Sequence, residues 1–103
     1  PGWSCLDPYA SPFGSKNRLC SAYGYCPICP LGAIDLASPY ACAQAHNLLA
    51  SVRNARTIMA PQAWLSRMGP VQEALMSRWL PAFSTEVINK AKLIELQPLP
   101  IPE

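Results

Sequence analysis

From Ser38 onward the apolar positions recur at a helical period. Tyr40, Ala43, Leu48, Leu49, Val52, Ala55 and Ile58, with the small Ala45 between them, approximate one apolar stripe. Ser38-Pro39 offers an N-cap followed by proline at the first helical position, and neither Gly nor Pro interrupts the segment through Ala60. The spacing predicts a helix of about five turns. Pro61 restarts the pattern with Trp64, Leu65 and Met68, and Gly69-Pro70 marks a kink or short break. Val71, Leu75, Met76, Trp79 and Leu80 then carry it to Pro81. Ser84 is a good cap for a third helix, with Glu86 in its first turn favouring the helix dipole and Val87, Ile88, Ala91, Leu93 and Ile94 as apolar positions before Pro98. Trp64 and Trp79 would lie about 60° apart on one continuous helix. Both are expected to be at least partly buried against the helix that starts at Pro39.

Residues 1–38 follow another grammar. Asp7-Pro8, Ser11-Pro12-Phe13-Gly14, Cys26-Pro27, Cys29-Pro30 and Leu31-Gly32 are turn signals, and no sustained period of 3.6 or 2 survives among them. The loop half holds every cysteine but Cys42. The spacing is Cys5-x14-Cys20-x5-Cys26-x2-Cys29, followed by x12 to Cys42. Zinc takes four thiolate or imidazole ligands in a tetrahedron, and a C-x2-C pair on a tight turn supplies two of them. Cys5 and Cys20 are the nearest thiols for the second pair. A rival set replaces them with Cys42 and His46, giving a finger-like C-x2-C-x12-C-x3-H whose last two ligands sit one turn apart on the first helix. A disulfide framework leaves one of five cysteines over, and an iron–sulfur cluster is disfavoured by the wide spread. In the four-cysteine reading Cys42 is a small buried residue and His46 an ordinary helix residue.

The predicted fold is therefore mainly α: a loop-rich, zinc-bound N-terminal half of zinc-ribbon or knuckle type, packed on about three helices. The 103 residues suit a single zinc-binding domain, with 1–38 as metal-binding loop region, 39–97 helical and 98–103 an extended tail. Half of the residues are hydrophobic and 14% are charged, which argues against disorder, while 12 prolines argue against long uninterrupted elements. A net charge of +2 is too small to indicate nucleic-acid binding by itself. Residues 1–50 are neutral, with Lys16 and Arg18 against Asp7 and Asp35. The excess comes from Arg53, Arg56, Arg67, Arg78, Lys90 and Lys92, candidates for DNA or partner contacts that also suit solvated helix faces. No run has the length of a membrane span and no signal-peptide pattern is present, so the expectation is a cytoplasmic protein without a membrane partner. Starting at Pro1, the chain is expected to be cut from a longer protein.

One resemblance covers nearly the whole chain. The string Cys5-Leu6-Asp7-Pro8-Tyr9-Ala10-Ser11-Pro12-Phe13, then Leu19-Cys20 and Cys26-Pro27-Ile28-Cys29-Pro30, is similar to the cysteine-rich C-terminal segment of bacterial phage-integrase-like proteins, the tyrosine recombinases. Trp64, Leu80-Pro81-Ala82-Phe83 and Leu99-Pro100 continue the likeness in order. The resemblance implies Cys5, Cys20, Cys26 and Cys29 as ligands to a structural zinc, leaves Cys42 and His46 outside, and places the chain in DNA recombination. It does not bring a catalytic centre. Recombination chemistry needs arginines, a lysine, histidines and a nucleophilic tyrosine around one phosphate. Here His46 is the lone histidine, and Arg53 and Arg56 have no such partners. The expectation is an accessory, non-catalytic domain supporting DNA or subunit contacts, with Tyr23 and Tyr25 beside the metal turn. The alternative is a protein-interaction module with a structural zinc. A catalytic zinc is the least favoured reading, because Asp7 is the one acid near a ligand and Asp-Pro is a common turn starter.

Overall fold

Ser38 closes the start of the longest helix as its sequence predicts. Its Oγ accepts a hydrogen bond from the Ala41 N–H at 3.1 Å, and Pro39 opens α1 (Pro39–Asn54), where a missing N–H costs nothing. The computed structural model describes residues 2–7, 9–10, 12–13 and 23–100. α1 is shorter than the predicted five turns. Its α-helical bonding stops at Asn54 and tightens into a 3-10 turn, Ala55–Thr57, where the Thr57 Oγ1 donates to the Asn54 carbonyl at 2.8 Å. Ile58 is thereby turned outward and is 70% exposed, so it is not part of the stripe. Tyr40, in the first turn, is also exposed; its hydroxyl accepts from Gln44 Nε2 at 2.9 Å.

Gly69-Pro70 proves to be a kink. α2 (Pro61–Arg67) passes through Met68 into α3 (Gly69–Ala74) with helical bonds on both sides: the Met68 N–H donates to Trp64 O, and the Gln72 N–H to Met68 O. The continuation to Pro81 is not α-helical. Leu75–Trp79 form a π-helical turn and Leu80–Ala82 a 3-10 turn. α4 (Thr85–Ala91) starts on Ser84, whose Oγ accepts from the Val87 N–H at 3.3 Å. It ends at Ala91, well before Pro98. From there the chain runs along α1 without regular structure, held where Asn47 Nδ2 donates to Gln97 O at 2.8 Å and Ser51 Oγ to Pro100 O at 3.0 Å. The fold is mainly helical, with four α-helices among the described residues where about three were expected.

α1 supplies one wall of the core through Ala45, Leu48 and Val52, continued by Ala55 of the 3-10 turn that follows it. Trp64, Met68, Val71, Leu75, Phe83 and Ala91 fill the other side. Trp64 is 3% exposed, and its indole N–H reaches the Val52 carbonyl at 2.8 Å, so the largest core side chain leaves no buried donor unpaired. Trp79 is half-buried against the core, as expected, but its indole N–H turns to the Pro27 carbonyl of the loop half. No helix of the described residues is long and apolar enough to cross a membrane.

The loop half contains one piece of regular pairing that the sequence reading missed. β1 (Trp3–Cys5) pairs antiparallel with β2 (Gly32–Ile34), in the register Trp3↔Ile34, Ser4↔Ala33 and Cys5↔Gly32. Strands of three residues are too short for an alternation to show.

Candidate metal centre

Cys26 and Cys29 occupy a tight reversal. Tyr23–Ile28 wind into a 3-10 turn, the Cys29 N–H donates to Tyr25 O at 2.9 Å and Cys26 O at 3.2 Å, and the Gly32 N–H donates to Cys29 O at 3.0 Å. The turn delivers the chain directly into β2, where Gly32 lies opposite Cys5. Leu6 N–H to Leu31 O, at 3.0 Å, prolongs the pairing toward the turn. The approach is close enough to require glycine: a Cβ at residue 32 would stand 2.4 Å from the Cys26 carbonyl oxygen and 3.3 Å from that of Cys29. Pairing and turn together carry Cys5, Cys26 and Cys29 to one end of the small sheet. All three are partly exposed.

Cys20 lies outside the described residues, as do Pro8 and Ser11 of the motif, Lys16, Arg18 and the end of the tail from Ile101; of Tyr23 the backbone alone is described. Among the described residues no three His, Cys, Asp or Glu side chains gather tightly enough to enclose a metal ion. The fit to zinc therefore rests on the donors and the backbone frame: three thiols from two chain segments on one turn-and-strand corner, with a fourth cysteine in the connecting segment. Asp7 takes the part of a turn former, its Oδ1 accepting from the Tyr9 N–H at 3.1 Å. Tyr25 stacks on Phe13, ring centroids 5.1 Å apart and planes 9° from parallel.

The finger-like alternative is also visible in part. The Cys42 sulfur lies 3.8 Å from His46 Nδ1, one turn along α1. Nδ1 is also 3.0 Å from the Cys42 carbonyl. Cys42 is wholly buried in the core, and burial pushes its thiol pKa up. The Cys26–Cys29 turn packs on α3 and on the two strands, and α1 is not among its main neighbours. The backbone pairing brings the Cys5 segment to the Cys26–Cys29 turn, and the Cys42 sulfur lies beside His46 one turn along α1.

The six basic candidates are all exposed, but four are engaged. Arg56 lies over the Trp64 ring and Arg78 over that of Trp79, each 4.5 Å from the centroid. Arg53 Nη2 donates to Met76 Sδ at 3.5 Å, and Lys90 pairs with Glu86 at 3.1 Å. Arg67 ends α2, and Lys92 follows α4 beside a cleft of about 400 Å³ that His46, Asn47, Ile88 and Ile94 also line. Sequence reasoning missed three residues that shape the corner where the C-x2-C turn meets the strands: Trp3, Gly32 and Trp79. A glycine three positions after the second cysteine of C-x2-C is a signal that could have identified one of them. Comparison with protein-family models, curated proteins and solved structures finds no match to this chain.

Proposed function

We propose that this chain is a non-catalytic zinc-binding accessory domain of an integrase- or recombinase-like DNA-transacting protein, with Cys5, Cys20, Cys26 and Cys29 as ligands. The observation that carries the zinc reading is the register Cys5↔Gly32, which sets a thiol from the start of the chain beside the C-x2-C turn. The integrase context rests on the order of sequence motifs. A zinc ion here would supply folding energy to a segment with little apolar core of its own. Native mass spectrometry tests the site: one zinc per chain is expected, and a metal-free chain with intact disulfides would overturn it.

DNA contact by this domain is expected to be weak. Arginines lying over tryptophan rings and a lysine paired with glutamate must leave those partners before they can neutralise phosphate. A salt titration on a short duplex should show low affinity without sequence preference and, with few phosphates neutralised, a shallow salt dependence; nanomolar binding at physiological salt would contradict this. The same engagement of the cations, together with exposed Ile58, Leu65 and Leu93, favours the second reading, a protein-interaction module with a structural zinc. Absence of DNA binding even at low salt would select it.

A further inference from the structure

We infer that Trp79 is a positioning residue for the metal corner, coupling zinc held by the Cys26–Cys29 turn to the stability of the helical half. The inference rests on the zinc reading above and extends it from the ligands to what holds them. Pro27 is one of the two residues between the turn cysteines, and its carbonyl accepts a 2.8 Å hydrogen bond from Trp79 Nε1 across 52 positions of sequence. The Trp79 ring also meets the other thiol-bearing segment. Trp3 packs edge-on against it, centroids 4.9 Å apart at 86°, and Trp3 is two residues from Cys5 on β1. Positions i and i+2 of a strand share a face, so the segment that presents Cys5 is braced on the same indole. Arg78 lies across the Trp79 ring at 4.5 Å.

The backbone explains how the indole gets there. In an uninterrupted α-helix, Leu75 and Trp79 would share one face and both point into the core. Leu75 does, and is fully buried. The π turn over Leu75–Trp79, closed by the Leu80 N–H on the Leu75 carbonyl, widens the helix by one residue per turn and carries Trp79 off that face toward Pro27 and Trp3. π turns are uncommon and tend to serve a site. Binding at the turn and folding of the helical body then share one contact, and coupling between two equilibria is reciprocal.

The test is a zinc competition titration against a chromophoric chelator on the full chain. Trp79→Phe keeps most of the ring and removes the N–H; its zinc dissociation constant should rise about tenfold or more, the scale found when groups that hold metal ligands in place are lost. Trp3→Phe serves as comparison. Among the described residues its indole N–H is buried without a partner, so the substitution should change zinc affinity much less. Where Trp79→Phe folds poorly, the wild-type chain supplies the measurement. On stripping zinc, hydrogen exchange at the Trp79 indole should accelerate more than at Trp64, whose N–H bonds to Val52 within the helical body. Zinc bound equally tightly by Trp79→Phe, or a Trp79 indole indifferent to zinc, overturns the inference alone. A wild-type chain that takes up no zinc overturns the underlying reading and the inference with it.

Discussion

Cys26→Ser is expected to release zinc and unravel most of residues 1–38, while Cys42→Ser keeps its metal. The asymmetry follows from where the two thiols sit. Cys26 sits within the Tyr23–Ile28 turn at the point of closest approach to Gly32, so loss of its thiol removes a proposed ligand where the β1–β2 pair meets the turn. Binding free energy at a structural zinc is folding free energy, and removing one of four thiolates should weaken the site on the order of a hundredfold or more. Cys42 is buried in the core at 0% exposure, where a serine hydroxyl without an assured partner costs about 1–3 kcal/mol. Cys42→Ser should therefore lower the denaturation midpoint and leave zinc content unchanged. The Cys42 thiol has a second signature. Burial raises its pKa above the ordinary thiol value, so its contribution to stability is complete below that value and is lost as pH climbs through the raised one. Native mass spectrometry of both variants decides the matter. Zinc kept by Cys26→Ser and lost from Cys42→Ser would select the Cys42–His46 set.

The parts of the fold readable from sequence were those governed by local rules. Ser38 and Ser84 cap the helices they were expected to cap, because an N-cap needs little more than one oxygen and an extended backbone at one residue. The stripe Leu48, Val52, Ala55 and the burial of Trp64 also follow from periodicity, and the burial of Cys42 agrees with its place outside the four-cysteine set. Periodicity failed where tertiary contact overrides it. Ile58 keeps the phase of the stripe but lies past the point where α1 tightens into a 3-10 turn. Trp79 keeps the phase of Leu75, yet the π turn sends it elsewhere. For the candidate site, the residue types and the C-x2-C turn were legible. What brings Cys5 to that turn was not, since the β1–β2 pairing joins segments 27 residues apart through strands with no pattern of their own. Gly32, three positions after the second cysteine, marks the place in the sequence, but the carbonyl that it must clear is seen only once the turn is folded against β2.

Gly32→Ala should damage the metal corner almost as severely as loss of a ligand. The new methyl would stand 2.4 Å from the Cys26 carbonyl oxygen and 3.2 Å from its carbon. Both are main-chain atoms, so no side chain can swing aside. Relief requires the turn to move away from β2, and any such movement carries Cys26 and Cys29 away from Cys5, the residue paired with Gly32. Overpacking of this kind costs about 1–3 kcal/mol in a well-packed site, and here the displaced atoms belong to the proposed ligand residues themselves. Zinc affinity should consequently fall more than global stability does. Gly69→Ala provides the contrast. Apart from its chain neighbours and its own helix, nothing lies within 4 Å of a Cβ at residue 69, which opens α3, so alanine there should leave zinc binding alone; because residue 69 is helical and precedes Pro70, the added Cβ should stabilise the chain little or not at all. Urea denaturation and chelator competition on the two variants separate the effects. A Gly32→Ala chain with wild-type zinc affinity would show that the close approach of turn and strand has no part in holding the metal.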